Sequence, residues 1–376
     1  SAYTDRLPDI QVGASAGIIG QPVIFQRGLS HSVHPETPDW SQNYNINLTQ
    51  PLYQGGRIQA KIHQAELKKQ IAALTSADNE AEIKLVLLQQ YMTLFSYYKQ
   101  REVLARNIEE SEHRLKDIRR MKKEGIVTRN DEIRSELQLT NDRLAYQEAD
   151  NSIAIASQQL DILLGLDESQ LIVPDTTLLY TTVSVSDYDT YVQLADNNYP
   201  DMQIVRQQTL LAENDIRLTK ANYLPSLSLH AGNTLARPLS TTLADMYNNN
   251  WNIGLILSYN LSSLYQNKHK MHEARQTVQL QKYAEELLMQ DIRIQVRTAY
   301  TRHKEALSRI EALKLSVSQA EENYRIVQNR YLNQLSILTD LLDASSVRLD
   351  AELQLTVART QAIYTYYELQ RTCGML

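Results

Sequence analysis

The chain of 376 residues has one cysteine, two phenylalanines, two tryptophans, nine prolines and eleven glycines. A single thiol, Cys373, excludes an intramolecular disulfide framework and any zinc site built on cysteines. No stretch approaches the ~18 apolar residues that a membrane-spanning helix needs. Acidic and basic side chains nearly balance, at a net charge of −6, which argues against a basic nucleic-acid binder. The sequence has no HExxH, no P-loop, no GxSxG and no GxGxxG in a strand–turn–helix setting, so no enzymatic constellation and no cofactor is expected. His269 and His272 lie three apart, but no carboxylate or cysteine completes a metal set, and they read as a solvated helix face.

Where the helix breakers fall is more informative than their scarcity. The prolines stand at 8, 22, 35, 38, 51, 174, 200, 225 and 238, which leaves Leu52–Val173 and Leu239–Leu376 without one. Gly125 is the only glycine between Arg57 and Leu164, and none occurs from Leu255 to Cys373. Two very long helical stretches follow, because proline and glycine are the residues that most disfavour a helix interior. The 43% of hydrophobic residues supplies enough apolar surface for a core.

Length alone would suggest two or three domains, yet the chain reads as one architecture written twice. At an offset of 209 positions His63 meets His272, Ala65 meets Ala274, Tyr91 meets Tyr300 and Asp131 meets Asp340. Leu160 then meets Leu369, and Gly165 meets Gly374. Upstream the offset drifts by a few residues, with Trp40 matching Trp251 and Tyr53 matching Tyr265. Each repeat reads strand, loop, strand, very long helix, turn, helix, a duplicated unit.

The strands alternate with a period of two. Ile10, Val12, Ala14, Ala16 and Ile18 interleave with Gln11, Gly13, Ser15 and Gly17; Tyr44, Ile46 and Leu48 interleave with Asn43, Asn45 and Asn47. The second half repeats this around Leu227, Leu229 and Ala231, then Trp251, Ile253, Leu255 and Leu257, with Ile256 out of phase. One face is apolar and the other carries amides and hydroxyls. An ordinary half-buried antiparallel sheet would look the same. Strands of about ten residues or more favour a membrane barrel. So do the aromatics: Trp40 and Trp251 are expected to open the second strand of each hairpin, and Tyr53 and Tyr265 to close it, as membrane-interface residues. Four strands cannot close a barrel, for which about eight is the minimum, so several chains would be required.

The first long helix is expected over 54–122, about 100 Å at 1.5 Å per residue, too long for a globular core. It suits a coiled coil or a tunnel wall. The chain returns in two pieces, Asn130–Gly165 and roughly 190–222, the second kinked or restarted at Pro200. The second half descends over Ser263–Tyr331 and ascends over Leu338–Arg371. The expected organisation is therefore barrel strands with long outer loops (near 19–39 and 233–250) in 1–53 and 224–262, a first helical tunnel repeat in 54–165, an equatorial belt in 166–189, an upper ascending helix in 190–223 and a second tunnel repeat in 263–376. Symmetry of the repeat also predicts a further ascending helix preceding Ser1.

At these residues the chain resembles the TolC-type outer-membrane efflux channels. The run QPLYQGGR at 50–57 is similar to the family's strand-to-helix junction, GIVTRND at 125–131 to its first periplasmic turn, and Tyr331 with LTDLLDA at 338–344 to its second. ANYLP at 221–225 resembles the junction entering the third strand, and the helix ends at Leu160–Gly165 and Leu369–Gly374 fit as well. The second strand-to-helix junction departs from the pattern, with Tyr265–Lys268 where the first has a Gly-Gly pair.

The resemblance implies a mixed α and β fold: long antiparallel helical hairpins forming a tunnel, and four strands contributed to a twelve-stranded barrel made by a homotrimer. It implies an outer-membrane channel of a Gram-negative bacterium, reaching into the periplasm. Such a channel serves passive gated export in a tripartite efflux or type I secretion system, with a periplasmic adaptor and an inner-membrane transporter. Asp340 and Asp343 match the family's pore-constricting aspartates and stand three apart on one helix face; rings of carboxylates favour cations. An acidic helix start is also simply favoured by the helix dipole. By the same resemblance Asp131 would hydrogen-bond Tyr331 as a gate contact, while the position of the family's gate arginine is Ser336. The tips Gly125, Ile126, Val127 and Thr128, with Leu335, Ser336, Ile337 and Leu338, would dock the adaptor or simply pack as turns. The competing reading is a periplasmic coiled-coil adaptor without its own pore, whose strands should be short and sandwich-like.

Overall fold

In the computed structural model, residues 2–34, 36–168, 170–175, 186–238 and 244–376 are described. Among these residues a 3-10 helix (Ala2–Arg6) precedes six strands and six α-helices in the order β1 (Asp9–Ile18), β2 (Ile24–Arg27), β3 (Ser30–Val33), β4 (Trp40–Tyr53), α1 (Arg57–Lys123), α2 (Arg129–Leu164), α3 (Tyr188–Asn198), α4 (Pro200–Ala221), β5 (Ser226–Arg237), β6 (Asn248–Ser258), α5 (Ser263–Leu332) and α6 (Leu338–Thr372). The chain divides into two compact units, one of 1–73 and 204–286, the other of 74–203 and 287–376.

The first unit holds an antiparallel sheet in the order β1-β4-β5-β6. Register follows the alternation: Val12, Ile46, Asn233 and Trp251 form one row, and Gln11, Asn47, Gly232 and Asn252 the next. Directly paired residues of adjacent strands point to the same side, so each row belongs to one face. The polar segment between β1 and β4 is not all loop, since β2 and β3 pair within it as a short ribbon. At the strand-to-helix junction Gly55 has φ +60°, and a Cβ there would lie 2.8 Å from that of Leu224, so this close approach admits only glycine. Beyond it the first turns of α1 pack on α4, where Asn214 donates to the Ala60 carbonyl at 2.8 Å.

The second unit is helical. A buried cluster joins α3, α5 and α6 through Tyr191, Ala195, Ile292, Val296, Leu369 and Cys373. Pro200 opens α4 rather than kinking a continuous helix: Tyr199 ends α3 in an extended conformation, and proline lacks only an N–H that a first helical residue does not use. Of the expected belt, residues 169 and 176–185 lie outside the described residues. The described part includes Ile172, whose N–H donates to Ser157 Oγ at 2.7 Å.

Candidate functional site

The sheet has two unlike faces. Its apolar face is bare: Val12 is 77% exposed, Trp251 69%, Leu257 70%. Contiguous uncovered apolar surface of this kind marks a membrane or protein contact. The opposite face lines up Asn45, Asn47 and Asn252 with Thr234 and His230. Among the described residues, the outer strands β1 and β6 each have one edge without a partner strand.

The aromatics are placed less symmetrically than expected. Trp40 opens β4 opposite Ile18, and Tyr53 closes the same strand. Trp251 does not open β6, which starts at Asn248, and its row lies six register positions from that of Trp40. Tyr265 does not close the strand: β6 ends at Ser258 and Tyr265 sits in the first turn of α5. The reason is local. Asn260 Oδ1 accepts from the Ser262 N–H at 3.1 Å and the Asn260 carbonyl from Ser263 Oγ at 2.6 Å, a turn that starts the helix earlier than the match with Tyr53 implies.

At the far ends of the long helices the two turns repeat each other in geometry. Gly125 has φ +75°, and the Ile126 N–H reaches back to the Met121 carbonyl at 2.9 Å. At the equivalent position Gln334 has φ +61°, and Leu335 N–H reaches Arg330 at 2.8 Å. Both are left-handed helix caps. Three residues later Thr128 caps α2 in a capping box, with Asp131 Oδ2 accepting from the Thr128 N–H at 2.8 Å. In the second turn Asp340 Oδ2 accepts from the Ile337 N–H at 3.4 Å and from Ser336 Oγ at 2.7 Å. Asp340 and Asp343 are both exposed, on the side of α6 opposite buried Leu338, Leu341 and Ala344.

The expected hydrogen bond between Asp131 and Tyr331 is not made within the chain. The Asp131 carboxylate is engaged by Thr128, and the buried Tyr331 hydroxyl has no hydrogen-bond partner among the described residues. Burial pushes that hydroxyl's pKa up, and the Asp131 charge adds to the shift. Leu338 is not an exposed tip residue either. It is buried with Ile118, Tyr324, Tyr331, Leu341 and Ala344, and Val127 packs against the same cluster. Gly125, Ile126, Thr128, Leu335 and Ile337 are exposed, and Ser336 is half-buried. This cluster joins α1, α5 and α6, and polar contacts reinforce it: Arg114 Nη2 donates to Ser345 Oγ at 3.0 Å, and Arg134 of α2 to Thr339 of α6. Sequence reasoning missed Glu132, a buried carboxylate held by Lys122 and Arg129 (2.7 Å from the latter).

An uncovered two-faced sheet joined to paired helical hairpins is the framework of an outer-membrane channel protomer, and comparison with solved structures agrees. VceC from Vibrio cholerae superimposes with a TM-score of 0.80 at 18% identity, over 99% of this chain and 88% of that one. The Campylobacter jejuni CmeC outer membrane channel gives 0.75 at 16% identity, over 100% and 79%. The open state of the Neisseria gonorrhoeae MtrE outer membrane channel gives 0.73 at 17%, over 100% and 82%. No curated protein sequence matches the chain. Residues 1–166 and 191–375 match the family model described as outer membrane efflux protein, and the chain belongs to that family. It is an outer-membrane transport protein, of a family of channels rather than enzymes.

Proposed function

We propose that three copies of this chain close a twelve-stranded barrel and form the exit duct of a tripartite efflux or type I secretion system, passive and gated, with a periplasmic adaptor and an inner-membrane transporter as partners. The observation that carries this reading is a four-stranded sheet which, among the described residues, has an uncovered apolar face and two unpartnered edges. Four strands are too few for a barrel and twelve are ample; exposed edges otherwise invite aggregation. The apolar face then meets lipid, with Trp40 and Tyr53 at its two ends, and the amide face lines the pore.

In the helical unit, Asp340 and Asp343 from three copies supply a ring of carboxylates that favours cations. Gating separates the hairpin α1–α2 from α5–α6, which opens the contacts of Arg114 and Arg134 with α6. The exposed tip residues Ile126, Leu335 and Ile337 offer an adaptor small apolar anchors.

Reconstitution in planar bilayers tests the reading. Wild-type protein should insert from detergent, run as a trimer after cross-linking and show small single-channel currents. Replacing Arg114 and Arg134 by Ala, which removes both contacts with α6, should raise conductance. A protein that stays monomeric and soluble without detergent, or inserts without conducting, overturns it.

A further inference from the structure

Where the sheet meets the helices, a polar cleft of about 390 Å³ opens between the start of α1, the end of α4 and the start of α5. Two cations line it, Arg57 and Lys270, with amides and serines and no carboxylate. Among the described residues neither cation forms an ion pair. The guanidinium is nevertheless held. The Asn267 side chain, 3% exposed, donates to the Thr219 carbonyl at 2.7 Å, accepts from Asn222 Nδ2 at 3.4 Å, and so turns Asn222 Oδ1 toward Arg57 Nη2 at 2.7 Å. One of the five donors of the guanidinium is used by this chain and its charge stays uncompensated.

We infer that this cleft is a binding site for a soluble oxyanion, a phosphate-, sulfonate- or carboxylate-bearing solute. An arginine fixed by a neutral partner presents its remaining N–H groups in the fork that suits such oxygens, and Lys270 adds a second charge. Ser226 and Ser258 pair in register and supply hydroxyls from the sheet's amide-bearing face, in phase with His230 and Gly254. The cleft thus opens on the side away from the apolar face, which favours a dissolved anion over a lipid headgroup. That orientation rests on the channel reading above. Three copies would set six cations around the path at this level.

Titration calorimetry with inorganic pyrophosphate, on wild-type protein in nanodiscs of neutral phosphatidylcholine, tests the site without requiring conduction. Saturable binding at one site per chain is expected, with affinity at least about tenfold weaker in Lys270→Gln and lost in Arg57→Gln with Lys270→Gln. Lys270→Gln leaves the Arg57–Asn222–Asn267 chain in place, so its effect is not one of folding. In bilayers, pyrophosphate should block wild-type current and spare the double variant. Absent binding, binding unchanged by both substitutions, or displacement of pyrophosphate by added phosphatidylglycerol would overturn the inference. A wild type that binds pyrophosphate but never conducts would instead overturn the channel reading alone.

Discussion

The guanidinium of Arg348 on α6 lies 4.1 Å over the ring of Tyr324 on α5. From there it reaches a third helix, donating to Glu110 of α1. One side chain thereby ties three of the long helices together near the tip. Its side chain is 14% exposed, whereas Glu110 is 41% exposed and largely solvated.

Replacing Arg348 by Ala removes the cation–π contact and much of the packing of its stem. Because Glu110 keeps its water, the loss should stay below the full cost of stranding a buried charge, about 1–3 kcal/mol. Thermal melting should show it, and Arg348→Lys should restore little, since an ammonium lacks the planar fork.

Gln334 occupies a left-handed conformation that its counterpart Gly125 adopts freely. Such a conformation costs a non-glycine residue roughly 1 kcal/mol. Gln334→Gly should therefore stabilise the second turn by a fraction of that amount, while Gly125→Ala destabilises the first. Hydrogen exchange at Leu335 and Ile126 N–H reads both effects locally.

Glu132 is held below the usual carboxylate range, mainly by the hydrogen bond from Lys122 and then by that from Arg129. A carboxylate with a depressed folded pKa contributes stability that is present above its unfolded value and lost as pH falls through the folded one. Melting temperature should therefore decline below about pH 4.5 less steeply in Glu132→Gln than in wild type, with the variant less stable at neutral pH.

His303 shifts stability in the same direction for a different reason. Burial between α5 and α6 lowers its pKa; Nδ1 lies 3.0 Å from Thr365 Oγ1, and Nε2 has no hydrogen-bond partner among the described residues. The folded state holds the neutral ring, so its contribution is full above the unfolded value of about 6.5 and is lost as pH drops below it. Wild-type melting temperature should fall between pH 7 and pH 5, and His303→Leu should flatten that slope.

Several elements could be read directly from residues. Proline and glycine positions marked α1, α2, α5 and α6 to within three residues, because long helices tolerate neither residue inside and need left-handed caps at their ends. Alternation assigned both faces of the sheet, since a strand's side-chain period is fixed by its backbone. The repeat carried Asp131 onto Asp340 correctly, as two carboxylates that each accept from the N–H of a helix cap.

Other features depend on approach in space, on which linear order is silent. Tyr265 matches Tyr53 by position, yet the hydrogen bonds of Asn260 put it in a helix. Leu338 reads as a turn residue, but its side chain falls into the cluster where α1, α5 and α6 converge. The arginine–asparagine–asparagine chain at the sheet-to-helix junction joins positions 57, 222 and 267. Local periodicity thus determined which elements form and which faces are apolar, because those depend on backbone geometry within a few residues. Only the tertiary structure decided which polar groups meet, because their meeting depends on how distant helices pack.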